Sequence, residues 1–193
     1  MLIRTAAAGL AVFVAACSPG PEDEPDTLFT ALSALCGQAF AGQVVSTDLR
    51  DADFESQRLV MHVRECGEDE LRVPFHVGEN RSRTWVITRL EDGRLRLKHD
   101  HRHEDGSEDG LTQYGGTSAA PASGLSVDFP ADEESRALFQ REGIPDSMQN
   151  TWTMKIEGEE FVYALNRPNR NFEARFDLSE PVEAPPAPWG AKP

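Results

Sequence analysis

The stretch Arg83–His101, RTWVITRLEDGRLRLKHDH, alternates apolar and polar side chains on both sides of a short turn. Successive side chains of a β-strand point to opposite faces, so this period of two is typical of strands with one buried face. The residues Glu91-Asp92-Gly93 separate the two alternating segments and are typical of turns. The stretch therefore predicts an antiparallel hairpin with one apolar face.

Two lengths of the turn are compatible with this hairpin. A two-residue turn at Asp92-Gly93 would place Trp85 and Ile87 among charged side chains on the outer face. A three-residue loop, Glu91-Asp92-Gly93, with the glycine in the left-handed conformation, would place both of them on the apolar face. We therefore favour the three-residue loop.

The second strand of the hairpin runs into the segment Leu97–Gly106, LKHDHRHEDG, in which three of the chain's five histidines occupy alternate positions. The histidines continue the face that begins with Leu95 and Leu97, which predicts that they point toward the interior. In the favoured register, the first of them pairs with a tryptophan and the second with an arginine of the preceding strand. The predicted ligand-binding residues are Arg83, Trp85, His99, His101 and His103.

The same alternation recurs along the chain between turn residues. It predicts strands at 38–47, 58–66, 71–78, 83–90, 94–103, 111–118, 124–129, 151–157, 160–166 and 171–178. One short helix is predicted at 133–141, where Asp132 caps it and Gly143 and Pro145 end it. Eight to ten strands with one apolar face each predict an all-β protein, an antiparallel up-and-down β-barrel, because closure removes the sheet edges. A β-sandwich is the alternative.

The opening of the first predicted strand supports the barrel. The residues Leu35–Gly42, LCGQAFAG, resemble the first strand of the calycins, the group of lipocalins and fatty-acid-binding proteins, in which a glycine and an aromatic residue start the barrel. Phe40 stands where lipocalins usually have tryptophan. The resemblance implies a calycin-like barrel that can enclose one small ligand.

The beginning of the chain combines one basic residue, Arg4, with an alanine-rich apolar run that ends at Cys17. A run this short, followed by proline, glycine and acidic residues, predicts a signal peptide at 1–16 and not a membrane span. The residues Val14-Ala15-Ala16-Cys17 resemble the lipobox of bacterial lipoproteins. This resemblance implies a diacylglycerol on Cys17, acylation of its amino group and anchorage in the cell envelope. In the same class, Ser18 implies sorting to the outer membrane, facing the periplasm.

The rest of the chain divides into a lipidated tether at 17–27, a single barrel domain at 28–179 and a proline-rich tail at 180–193. The composition of the tail predicts that it is disordered. The formal net charge of −14 argues against nucleic acid as a partner and against an electrostatic surface for anionic lipid. We therefore expect membrane contact through the lipid anchor only.

A disulfide between Cys36 and Cys66 is predicted from the position of these residues. They face each other if the first two predicted strands form a hairpin centred near Asp51. Such a cross-strand pair brings two Cα atoms into the range of about 4.4 to 6.8 Å that a disulfide needs. The expected compartment is oxidising, which allows the bond to persist.

Three functions are compatible with the histidine-rich face. The favoured one is binding of a small amphipathic or anionic ligand inside the barrel, with Arg83 and the histidines at its polar group. The apolar part of that ligand would contact Trp85, Phe75, Phe129, Trp152 and Tyr163. In another, the histidines and Arg83 form a satisfied polar network, and the protein is a structural or assembly partner of envelope proteins through its strand edges or its tail.

The remaining alternative is a zinc site. Two of the residues His99, His101 and His103 would bind the ion, because alternate strand positions lie close enough for two imidazoles to converge. A further ligand would come from Glu104, Asp105, His62 or His76. Catalysis finds little support, because the sequence contains no nucleophile elbow, phosphate loop or dinucleotide fingerprint.

Overall fold

The computed structural model describes residues 27–191, so the leader and Cys17 lie outside the described residues. Strands β1 to β11 occupy Ala39–Val44, Leu59–His62, Glu65–Cys66, Glu70–Val77, Asn80–Arg89, Leu95–His101, Tyr114–Thr117, Ser126–Pro130, Thr151–Glu157, Glu160–Arg167 and Arg170–Val182. Helices α1 to α3 occupy Leu28–Ala34, Ala52–Glu55 and Glu133–Arg141, and short 3-10 helices occupy Leu49–Asp51 and Pro145–Gln149. Within this described part of the chain, no helix has the length and apolar character needed to cross a membrane.

All strand pairs are antiparallel, and the sheet curls into a nearly closed barrel. The order is β7-β6-β5-β4-β2-β1-β11-β10-β9-β8, with β3 beside β4. The first and last strands pair with each other, for example Gly42 with Phe176. An isolated bridge between Gly116 and Ala131 brings β7 to the chain that leaves β8. The predicted all-β antiparallel barrel is therefore confirmed, and the alternative of two separate sheets is not.

The register of the central hairpin is the one that the three-residue loop predicts. Strands β5 and β6 pair Arg83 with His101 and Trp85 with His99. Gly93 has a φ of 79°, and its N–H donates to the carbonyl oxygen of Leu90 at 2.9 Å. Only glycine adopts this left-handed conformation without strain, which fixes the turn length and thereby the inward-facing set.

Two glycines of β7 allow close backbone contact, Gly115 with the neighbouring β6 and Gly116 with β8 across the seam of the barrel. A β-carbon on Gly115 would lie 1.9 Å from the carbonyl oxygen of Leu97, and one on Gly116 would lie 1.9 Å from that of Pro130. The Ser135 hydroxyl of α3 accepts from the N–H of Gly115 at 2.7 Å and donates to its carbonyl oxygen at 2.9 Å. The seam between β7 and β8 is thus closed by backbone contact and by one serine.

The helices differ from the sequence prediction in number. Helix α3 has the predicted bounds, and the side chain of Asp132 accepts from the N–H of Ser135 as a cap. Helix α1 was not predicted, although Thr27 caps it and it places Leu28 and Leu32 in the core. Seven residues are too few for a periodic pattern to stand out. This helix closes the end of the barrel at which β5 finishes.

The predicted disulfide between Cys36 and Cys66 is present, with its two Cα atoms 6.2 Å apart. Cys66 belongs to β3, which pairs with β4. Cys36 follows α1 and directly precedes β1. The bond therefore ties the segment that enters the barrel to β3, the short strand beside β4.

The described part of the predicted tail, 180–191, contacts the barrel. Strand β11 continues to Val182, because β1 offers it a pairing partner at Ala39. Beyond the strand, the N–H of Trp189 donates to the carbonyl oxygen of Arg81 at 3.1 Å, and the Arg81 side chain donates to the carbonyl oxygen of Ala187 at the same distance. Proline-rich composition removes backbone donors, but the remaining groups are sufficient to hold the tail on the outer surface.

Candidate functional site

A cavity of about 130 Å³ lies at the end of the barrel opposite α1. It is formed where β4, β6 and β10 end and where β5, β7 and β11 begin. Its lining consists of Phe54, Phe75, Arg83, Trp85, His99, His101, Tyr114, Tyr163, Leu165, Arg170 and Phe172. Four of the five residues predicted to bind a ligand therefore meet in one place, and only His103 is missing from the lining.

Arg83 is the polar centre of this cavity. Its Nη1 donates to Oδ1 of Asn80 at 3.1 Å and to Oγ of Ser82 at 3.3 Å. Its Cζ lies 5.4 Å from the centre of the Phe54 ring. Among residues 27–191 it forms no ion pair with a carboxylate, and burial lowers its pKa from the ordinary value. An arginine remains charged under such conditions, so the cavity holds an uncompensated cation.

The second arginine of the lining is neutralised. Arg170 forms an ion pair with Asp51, which is fully buried, and lies 3.3 Å from Asp48. Ser46 also donates to Asp51 at 2.8 Å. Arg170 therefore acts as a fixed part of the wall, while Arg83 contributes the net positive charge.

His99 connects β7 and β10 through hydrogen bonds of its two ring nitrogens. Its Nε2 lies 2.7 Å from the Tyr163 hydroxyl, and its Nδ1 lies 3.1 Å from the carbonyl oxygen of Tyr114. The carbonyl only accepts, so Nδ1 carries the proton and Nε2 accepts from the tyrosine. Burial lowers the pKa of His99 to about 3. The imidazole is therefore neutral near pH 7, and both of its nitrogens are engaged.

His101 lies nearer to the opening than His99. Burial and the neighbouring charge of Arg83 lower the pKa of His101 to about 4. It is consequently neutral near pH 7, where it offers one donor and one acceptor. Its side chain makes no hydrogen bond to the protein within the described residues, unlike that of His99.

The structure does not assemble the predicted zinc ligands. His103 lies in the loop after β6 with its side chain 57% exposed, and its Nε2 is 3.8 Å from Asp109. His62 and His76 alternate with the inward-facing residues of β2 and β4 and so point away from the barrel interior, although His76 is only 3% exposed. Glu104 and Asp105 belong to the exposed loop. Over residues 27–191, no three histidine, cysteine or acidic side chains converge as a metal site would require.

The floor of the cavity is aromatic. The Trp85 ring stacks on Tyr163 at a centroid distance of 4.5 Å and on Phe75 at 4.9 Å. Phe129 and Trp152, which were also predicted to contact the ligand, are buried in the core and do not line the cavity. The cavity therefore lies against closely packed aromatic rings, of which only small parts are accessible, and against the guanidinium of Arg83.

Several lining residues were not predicted as site residues. Phe54 lies on α2, in a segment between strands, and Arg170 begins β11 immediately after a turn. Tyr114 begins β7, and its ring stacks on His99 at 4.6 Å. A signal for Phe54 exists in the sequence, because it is a lone aromatic residue in an otherwise polar connection. The other residues enter the site only through the pairing of distant strands.

A larger groove of about 470 Å³ lies on the outer surface, between the tail and strands β4 to β6. Its charged side chains are satisfied by one another, since Asp100 is 2.8 Å from both Arg72 and Arg102. The interior cavity, in contrast, contains an arginine without a carboxylate partner among residues 27–191. We therefore take the interior cavity as the candidate site.

The lowered pKa of His99 predicts a loss of stability in acid. Below the ordinary pKa of about 6.5, the unfolded chain takes up a proton that the folded protein accepts only near pH 3. The free energy of unfolding should therefore fall as the pH decreases from about 6.5, and the contribution of this histidine should reach about 2–3 kcal/mol at pH 4.5.

The measurement is denaturant unfolding at pH 7.0 and 4.5 for the wild type, His99→Gln and His103→Gln. We expect a smaller acid-induced loss for His99→Gln than for the wild type. His103→Gln is the matched control because its imidazole is exposed. Equal losses in all three proteins would contradict the assignment.

No protein family, no curated protein and no solved structure matches this chain.

Proposed function

We propose that this protein is a lipid-anchored component of the bacterial cell envelope that binds a small anionic molecule in the cavity at the end of its barrel. The observation that carries the proposal is Arg83, a cation without a carboxylate partner within 27–191, placed in an aromatic cavity of a chain with a net charge of −14. Ligand sites are typically apolar cavities with a few placed polar groups.

The anchor is proposed from the sequence alone. The lipobox residues Val14-Ala15-Ala16-Cys17 support lipidation of Cys17, and Ser18 supports sorting to the outer membrane on its periplasmic side. Lipidation fixes such a protein to the membrane surface without inserting its domain.

The volume of the cavity restricts the ligand. Cavities for drug-sized molecules measure roughly 300–1,000 Å³, and the one here measures about 130 Å³. A cavity of about 150 Å³ accommodates benzene. The volume therefore supports a ligand with the bulk of a single ring and argues against a long acyl chain.

The proposal is tested by a fragment screen on the full-length protein. Anionic, neutral and cationic fragments of about ten heavy atoms or fewer are compared by ligand-observed NMR with the wild type, Arg83→Leu and Arg96→Leu. Arg96 is an exposed arginine of β6 and serves as the control. We expect anionic fragments to bind the wild type and Arg96→Leu and to lose binding to Arg83→Leu. An absence of anionic hits, or hits that Arg83→Leu retains, would contradict the proposal.

A further inference from the structure

We propose that the ligand is a monocarboxylate with a body the size of one ring, whose carboxylate pairs with Arg83 and whose body contacts the partly exposed lining residues Phe54, Tyr114 and Leu165. This inference rests on the proposed function, because it names the chemical class of the anion that the cavity takes. Three observations lead to it: the charge of the cavity, the open edge of the guanidinium and the shape of the remaining space.

The charge of the cavity matches one negative charge. Arg83 is uncompensated within 27–191, whereas Arg170 is held by Asp51 and Asp48. The two histidines of the lining, His99 and His101, add no charge near neutral pH, since burial keeps both imidazoles neutral. A dianion such as a phosphate monoester would therefore carry one charge without a partner into a partly desolvated cavity, which is costly.

The orientation of the guanidinium favours a planar anion. Asn80 and Ser82 both accept from Nη1 and thereby fix one corner of the group. Its Nε and Nη2 donate to no protein atom in the described residues, and neither is a buried atom without a partner. They consequently remain accessible. An arginine with two free N–H groups on one edge matches the two oxygens of a carboxylate in a bidentate pair.

The remaining space suits a small, partly apolar body. Trp85 is 1% and Tyr163 is 7% exposed, so both rings are packed into the core and only a small part of each reaches the cavity. They are stacked on each other at 4.5 Å, so the larger part of the accessible lining beside Arg83 comes from the partly exposed Phe54, Tyr114 and Leu165. A volume of about 130 Å³ is close to the roughly 150 Å³ of a cavity that binds benzene, and it is too small for an extended acyl tail.

The test is isothermal titration calorimetry at pH 7.0 with the full-length protein and four probes: benzoate, cyclohexanecarboxylate, benzamide and phenyl phosphate. Benzamide has the shape of benzoate without its charge, and phenyl phosphate replaces the planar anion with a tetrahedral one. We expect both carboxylates to bind at least tenfold more tightly than benzamide and more tightly than phenyl phosphate. We also expect Arg83→Gln to weaken benzoate at least tenfold while leaving the affinity for benzamide unchanged.

Two further variants keep the test decisive. Arg83→Lys retains the positive charge but lacks the two parallel N–H donors of the guanidinium. It should bind benzoate more weakly than the wild type but more tightly than Arg83→Gln. Arg96→Gln should bind like the wild type. Benzoate affinity that is unchanged in Arg83→Gln, or equal for benzoate and benzamide, would overturn the proposal.

The failures of the two proposals are distinguishable. Tighter binding of phenyl phosphate, lost in Arg83→Gln, would overturn the carboxylate class and leave anion binding in place. If none of the four probes binds but anionic fragments bind in the screen, only the carboxylate class of the ligand is overturned. If no probe binds in calorimetry and no anionic fragment binds in the screen, the proposed function is overturned as well.

Discussion

The substitution Asp51→Ala is expected to lower the free energy of unfolding by about 3–5 kcal/mol, which is the usual result of removing one partner of a buried ion pair. Asp51 is 0% exposed and accepts from Ser46 and from both terminal nitrogens of Arg170. The side chain of Arg170 is itself only 12% exposed, so the variant would leave a buried cation. Asp48, 3.3 Å away, would compensate part of that charge and favours the lower end of the range.

The measurement is chemical denaturation followed by tryptophan fluorescence. Asp53→Ala is the matched control, because Asp53 lies in the same connection but is exposed. A second variant, Asp51→Leu/Arg170→Met, removes both charges and should be more stable than Asp51→Ala. A loss below about 1 kcal/mol for Asp51→Ala would show that this pair does not hold the connection to the barrel.

Removal of the disulfide is expected to cost about 3–4 kcal/mol of unfolding free energy. The bond closes a loop with a sequence separation of 30 between Cys36 and Cys66. In the chain-entropy description, a loop of this length restricts the unfolded state by about that amount. The loss should appear in Cys36→Ser/Cys66→Ser and in the wild type treated with a reductant.

Equilibrium unfolding with and without reductant tests this prediction. The double variant is its own control, since its unfolding should not respond to the reductant. A wild type whose unfolding midpoint is the same in both buffers would contradict a stabilising role for the bond.

The central hairpin was predictable because local sequence determines it. Gly93 selects the turn, and the turn length sets which of two faces carries Trp85 and Ile87. The pairing of Arg83 with His101 followed from that single choice. Apolar alternation likewise revealed the other strands, because each has one face in the core.

The parts that sequence did not predict depend on closure of the barrel. Helix α1 is short, and the sequence does not show that its apolar residues close one end of the barrel until the position of that end is known. Phe54 and Arg170 enter the cavity from connections whose positions are set by the sheet order. The contacts of the tail depend on the sheet in the same way, since β1 and Arg81 provide partners that its composition does not reveal.

The pairing of β1 with β11 has a consequence for the assembly of the molecule. All other neighbours in the sheet are close in sequence, so β1 to β7 and β8 to β11 can each form as a meander from local contacts. The largest entropic cost of loop closure therefore arises in the single step in which these two halves dock. Arg83 belongs to the first half and Tyr163 to the second. The cavity therefore exists only after docking, and any ligand that binds there recognises the completed fold and stabilises its last-formed contact.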